Sequence, residues 1–348
     1  MKSFQSFIAV ASLAVGLSVT TPSLVVAQKQ QVLELELANE YFYRGDWAKA
    51  KEVYQKIAGN KDYAVAIFPN YLETLKKLNE NEEAEKYLKR LIKLNPEKIE
   101  YDIELVELYE QTNRQDVADK YFAKFVKVLK DNYAIIDIAA QKFLEKKQPK
   151  RAETLYLEGR KNMKSSAMFS LELAEVYFQL NDKEKCVQEL LNMVGNDAST
   201  HYTAQNRLQN YLSDEKEFEL LKQRLLERTQ KDPDNLAYNE MLLWLHLQQK
   251  EFYSAFVQAK AIDKRKKSEN AERVMEVATL AVSNQDYESA IEIYEYVITQ
   301  YPNSSVCMTA RRNVIQAKEE IVKKTYPIDE NKIRSLIQDY LSMLRQQP

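Results

Sequence analysis

Small and aromatic residues recur in this chain every 34 positions, and a period of that length leaves few folds open. Ala38, Tyr41, Gly45, Trp47, Ala50 and Tyr54 set the pattern. Shifted by 34, Leu72, Leu75, Asn79, Ala84 and Leu88 fall in the matching places, and Pro96 closes the unit. Further shifts bring Val106, Tyr109, Asn113, Ala118 and Phe122, then Ala140, Phe143, Ala152 and Tyr156, then Ala174, Tyr177, Asn181, Cys186 and Leu190. These units run on without an insertion. A small or apolar residue followed three positions later by an aromatic places both on one helical face. Ala50, Ala84, Ala118 and Ala152 let the second helix of each pair approach the first closely. Gly45, Asn79, Asn113 and Asn181 mark turns, where a positive φ costs such residues little. Pro96 ends one helix and opens the next. Composition agrees, since five Gly and eight Pro leave little material for hairpins or linkers, while 22 Tyr and 12 Phe suit helices packed side by side. The expected fold is all-α.

These residues resemble the tetratricopeptide repeat, a helix–turn–helix unit whose pattern is nearly complete over 38–54. The resemblance implies a helix–turn–helix repeat solenoid with a right-handed superhelix. A weaker copy over 202–235 holds Leu212, Leu221, Leu225 and Pro233; Leu replaces the small residue of its second helix, which predicts altered packing there. The next copy carries Leu243, Phe252, Ala255, Ala259 and Ile262, and the last Ala278, Asp286, Tyr287, Ala290, Tyr294, Val297 and Pro302. Eight repeats are therefore expected within 28–304, at 31–64, 65–98, 99–132, 133–166, 167–200, 202–235, 236–270 and 271–304. Residues 305–348 read as a helical pair, either a cap or a divergent ninth repeat. Its last helix groups Ile333, Leu336, Ile337, Tyr340 and Leu344 on one face, which must pack back, pair with a second copy or meet further chain.

The first 27 residues break the pattern. Lys2, an apolar stretch over 7–19 and Val25-Val26-Ala27 have the layout of a secretory signal peptide cleaved after Ala27. Ser18, Thr20, Thr21 and Pro22 cut the apolar run short of the roughly 20 residues a spanning helix needs. The expected product is exported, periplasmic or associated with the outer envelope, and touches membrane only through that segment. Cys186 and Cys307 lie several repeats apart in an array that contacts only its neighbours, so two buried free thiols are expected rather than a disulfide. A formal charge of −2, with acidic and basic residues interspersed, gives no basic face for nucleic acid.

No catalytic constellation emerges. His201 and His246 lie in different repeats, no paired-His metal spacing exists, and no phosphate-binding glycine motif is present. The expectation is a chain that is not an enzyme and has no metal, cofactor or small-molecule substrate. By resemblance, the first helix of each pair lines the binding groove. The inward positions of the first three repeats then include Asn39, Phe42, Tyr43, Asn70, Glu73, Glu104 and Glu107, and Trp244 is a further candidate downstream. Asn39 and Asn70 match asparagines with which peptide-binding repeats hold a ligand backbone. The clamp's cationic positions are instead Leu35, Glu100 and Glu104, so a C-terminal carboxylate is disfavoured as ligand. Two readings of the acidic run remain open: a groove for basic or amide-rich segments, or a solvated face balanced by Lys120, Lys124, Lys127 and Lys130. The function these features imply is a non-catalytic scaffold or adaptor of the cell envelope that binds peptide or protein segments. Alternatives are a periplasmic holdase-type chaperone and the docking half of a larger enzyme continuing past Pro348.

Overall fold

The computed structural model describes residues 22–327 and 329–345, with 22–29 described by backbone alone. Most of the segment read as a signal peptide lies outside the described residues; its last six begin the first helix. Among the described residues there are nineteen α-helices, one 3-10 turn and no strand, and the chain divides into two compact units between Leu129 and Lys130.

Unit 1 contains α1 (Pro22–Tyr43), α2 (Trp47–Ile57), the short α3 (Lys61–Ala66), α4 (Phe68–Lys77), α5 (Asn81–Leu94), α6 (Glu100–Gln111) and α7 (Gln115–Leu129). Unit 2 contains α8 (Tyr133–Glu145), α9 (Pro149–Asn162), α10 (Ser170–Gln179), α11 (Lys183–Asn196), α12 (His201–Tyr211) and α13 (Glu215–Lys231). It continues with α14 (Leu236–Gln248), α15 (Phe252–Lys266), α16 (Glu272–Ser283), α17 (Tyr287–Gln300), α18 (Cys307–Lys324) and α19 (Glu330–Arg345). Within each unit the helices pack chiefly on their neighbours in sequence. The short α3 is an addition that the period does not announce; Asn60 caps it by accepting the backbone N–H of Asp62 at 3.0 Å.

The 34-residue period is written in the backbone itself. A left-handed residue follows the first helix of successive pairs at Gly45, Asn79, Asn113, Lys147 and Asn181, with φ of 77°, 58°, 57°, 58° and 57°. Each turn closes in the same way. The N–H of the next residue donates to the carbonyl five back: Asp46 to Tyr41, Glu80 to Leu75, Arg114 to Tyr109, Gln148 to Phe143 and Asp182 to Tyr177, at 2.8–2.9 Å. This is the Schellman closure, which satisfies carbonyls a helix end would otherwise leave bare. Lys147 occupies the one site where the sequence shows no Gly or Asn, and takes the same conformation. Lys250 and Gln285 repeat it further on, with Glu251 bonding His246 and Asp286 bonding Ala281.

Repeat-defining side chains form the core. Ala38, Ala50, Ala84, Ala118, Ala140, Ala152, Ala174, Ala255, Ala278 and Ala290 are all fully buried, so enlarging one would cost about 1–3 kcal/mol. The abundant tyrosines bury their rings and pass their hydroxyl protons to carboxylates on neighbouring helices. Tyr71 donates to Glu83 at 2.6 Å, Tyr121 to Asp102 at 2.5 Å and Tyr156 to Asp137 at 2.7 Å. Burial pushes the Tyr71, Tyr121 and Tyr156 hydroxyls above the ordinary tyrosine range, which keeps them protonated donors at neutral pH.

The sixth pair departs from the rest, as Leu221 predicts. No left-handed turn joins α12 to α13; Leu212 is extended (φ −98°, ψ 133°). The start of α13 is held instead by a reciprocal cap, in which Asp214 accepts from Glu217 N–H at 2.9 Å while Glu217 accepts from Ser213 N–H at 2.6 Å. Here α11 packs on both α13 and α14. Gly195 permits that second contact: a Cβ there would lie 1.9 Å from the Tyr238 hydroxyl oxygen. Around it Asn235 donates to the Gly195 carbonyl at 3.0 Å, and Arg228 donates to Asn192 at 2.7 Å and to the Tyr238 hydroxyl at 3.3 Å.

Cys186 and Cys307 are free and buried, as expected, and burial pushes the Cys186 thiol up to about 12. The last two helices, α18 and α19, both lie within 305–348. None of α19's residues is buried, and Ile337, Leu341 and Leu344 are exposed. It is tied to α18 by a Lys318–Asp339 ion pair at 2.9 Å and by Tyr340 donating to Glu319 at 2.8 Å. Thus its apolar face packs back only in part.

Candidate functional site

In unit 1, α1, α4 and α6 carry the positions that the resemblance leads one to expect in a groove. The Asn39 side-chain oxygen accepts from the Tyr54 hydroxyl at 2.6 Å and from the Asn70 amide at 3.0 Å, so the two asparagines form one linked pair across adjacent repeats. Tyr54 is fully buried, its hydroxyl pushed up to about 12 by burial, and its donated proton fixes which end of the Asn39 amide faces inward. This leaves the Asn39 N–H2 and the Asn70 carbonyl oxygen as a donor and an acceptor on half-buried side chains. Half-buried Phe42 packs edge-on against Tyr43 and Trp47, each at 5.4 Å between ring centres, and Tyr43 itself is 79% exposed. Glu73 is exposed one turn beyond Asn70.

Glu104 and Glu107 lie together, and Lys76 of the preceding repeat reaches both, at 2.7 and 3.3 Å. One cation that meets this acidic pair thus comes from α4, the first helix of the preceding pair. Trp244 lies in unit 2, half-buried on α14 between buried Leu243 and Leu245. His246 and Phe252 beside it are core residues, and His246 Nδ1 meets the Glu251 carboxylate at 2.6 Å.

Unit 2 has a groove of its own across α8, α10 and α12, with a cavity of about 490 Å³. Gln141, Leu144 and Glu145 line it from α8, Glu172, Glu175 and Gln179 from α10, and Arg207 from α12. The Tyr133 hydroxyl donates to Glu172 at 3.0 Å, and Tyr211 donates to Glu175, whose carboxylate also lies 3.9 Å from Arg207. Burial, reinforced by Glu172, pushes Tyr133 up to about 12, so it remains a neutral donor. The period could have found most of this site. Steps of 34 carry Asn39 through Glu73 and Glu107 to Gln141 and Glu175, and Tyr43 through Lys77 and Gln111 to Glu145 and Gln179. Among the described residues no cluster of His, Cys, Asp and Glu has the arrangement of a metal site, and no helix is long and apolar enough to cross a membrane.

Helix pairs closed by one recurring turn, with polar side chains presented by each first helix, define a helical-repeat protein. "Tetratricopeptide repeat" family models match residues 70–98 and 253–304, so these two segments are similar to that repeat. No curated protein sequence matches it. Among solved structures, it is similar to a chain of Naa15/Naa10 bound to HypK-THB at 14% identity and a TM-score of 0.32, covering 92% of this chain. It spans 52% of that chain's length. The TPR domain of P58(IPK) matches at 14% identity and a TM-score of 0.24, covering 91% of this chain and 99% of that one. The C-terminal part of a TPR repeat-containing protein from Cytophaga hutchinsonii matches at 12% identity and a TM-score of 0.27, covering 79% and 98%.

Proposed function

We propose that this chain is a non-catalytic scaffold or adaptor of the cell envelope that holds peptide or protein segments against the first helices of its repeats. The observation that carries the reading is the linked Asn39–Asn70 pair, which leaves one amide donor and one carbonyl acceptor side by side. A peptide unit needs one of each, and two anchored amides can hold an extended backbone without reading its side chains. Exposed Tyr43 beside half-buried Phe42 adds an aromatic edge of the sort that supplies binding energy at interfaces. The inward face is largely polar, which favours a segment with backbone hydrogen bonds to offer over the unfolded apolar clients of a holdase. The envelope setting rests on the layout of residues 1–27, and predicts a mature chain beginning at Gln28.

The test replaces Tyr43 with a photo-crosslinking amino acid in the full chain and identifies what it captures in the native envelope. A defined partner segment should appear, and Asn39→Ala with Asn70→Ala should weaken binding of a synthetic copy about tenfold, as two lost hydrogen bonds would. Unchanged affinity in a double variant that melts as a folded protein would refute the asparagine reading.

A further inference from the structure

We propose that the groove of unit 2 docks an extended protein segment through a lysine or arginine side chain, a refinement that rests on the segment-binding reading above. The argument is one of charge balance. Glu145, Glu172 and Glu175 line the cavity of about 490 Å³, and Arg207 is the one cationic side chain in its lining. Tyr133 and Tyr211 donate hydrogen bonds to Glu172 and Glu175. A hydroxyl donor fixes the direction of a carboxylate without neutralising it, whereas Lys76 in unit 1 neutralises as it binds. The cavity therefore holds pre-aimed carboxylates in excess over cations.

The remaining lining fits the rest of such a side chain. Leu144 and Leu171 give an apolar wall against which the methylene stem of Lys or Arg can lie while its charged end reaches the acids. Glu145 and Gln179 close the last turns of α8 and α10, at equivalent places one 34-residue step apart. The Gln179 amide offers the adjoining backbone both a donor and an acceptor. An acidic segment would meet like charge here, and a neutral one would leave the carboxylates without a counter-charge.

Fluorescence anisotropy on the full chain tests this with four acetylated, amidated Ala-Ser dodecapeptides carrying paired Lys, Arg, Gln or Glu. The Lys and Arg peptides should bind about tenfold more tightly than the Gln peptide, and should weaken as salt is raised. Glu145→Gln should cost them about fivefold while thermal unfolding stays put, and Glu145→Gln with Glu172→Gln should cost more. Glu330→Gln, on the exposed first turn of α19 and away from this lining, should leave them unchanged. Equal binding of the Lys and Gln peptides, or indifference to Glu145→Gln, overturns the cationic assignment while leaving segment binding intact. If none of the four peptides binds, both readings fall.

Discussion

The two units solve the same repeat in different ways. In unit 1 the left-handed turn residues are Gly45, Asn79 and Asn113, which tolerate that conformation, and the groove polar groups pair with one another: Asn39 with Asn70, Lys76 with Glu104 and Glu107. In unit 2 Asn181 alone keeps such a residue; Lys147, Lys250 and Gln285 take the other left-handed turns between paired helices, and one pair has none. Its groove carboxylates are oriented by tyrosines rather than cancelled by a lysine. The lesson is that turn chemistry and groove chemistry vary separately. Burial of the small and aromatic core residues maintains the repeat even where the turn residue is a poor choice, and the inward face stays free to diverge.

The largest expected effect breaks the irregular junction of unit 2. Gly195→Ala would drive a Cβ into the Tyr238 ring and disturb its bond with Arg228, costing about 2–3 kcal/mol in urea unfolding. The control in unit 1 is Gly59→Ala, whose new methyl would meet nothing closer than 3.9 Å and should be near neutral. Equal effects would mean the α11–α14 contact is not what holds that junction. Next in size is Lys76→Met. It removes one cationic partner shared by two carboxylates whose side chains are 20% and 19% exposed, and should cost about 1–2 kcal/mol, between the exposed and buried limits. The same change should make the unit 1 groove resemble that of unit 2 by gaining affinity for the Lys peptide. Smallest is a pair of turn variants: Asn79→Ala should destabilise by about 1 kcal/mol, and Lys147→Gly should stabilise by about 0.5–1 kcal/mol. A loss in Lys147→Gly would mean that the added freedom of the unfolded chain outweighs the relief of strain.

Much of the fold was legible because a repeat states its rules several times over. Ala50, Ala84, Ala118 and Ala152 could be recognised as close-approach positions by comparing copies, and each is fully buried. The irregular sixth pair was visible through Leu221, though not its remedy. The reciprocal cap at Asp214 and the Gly195–Tyr238 contact depend on which helices meet, and a period cannot state that. Lys147 escaped for another reason: turn preference is a weak local signal, and the packing of Phe143 and Ala152 on either side overrides it. Of the candidate site, residue identities were readable but their partners were not. That Lys76 bridges Glu104 and Glu107, and that Asn39 joins Asn70, follows from the offset between adjacent helices, a distance that sequence does not carry.

The turn closures have one more consequence. Each is completed by hydrogen bonds spanning six residues of its own, from Tyr41 to Asp46 and so on to Tyr177 to Asp182. No closure depends on how many others precede it. A block removed or duplicated from one left-handed residue to the next would leave every surviving closure intact. In the gene, change that respects this architecture comes in increments of about 34 codons, as the steps of 34 from Gly45 to Asn181 and of 35 from Lys250 to Gln285 show.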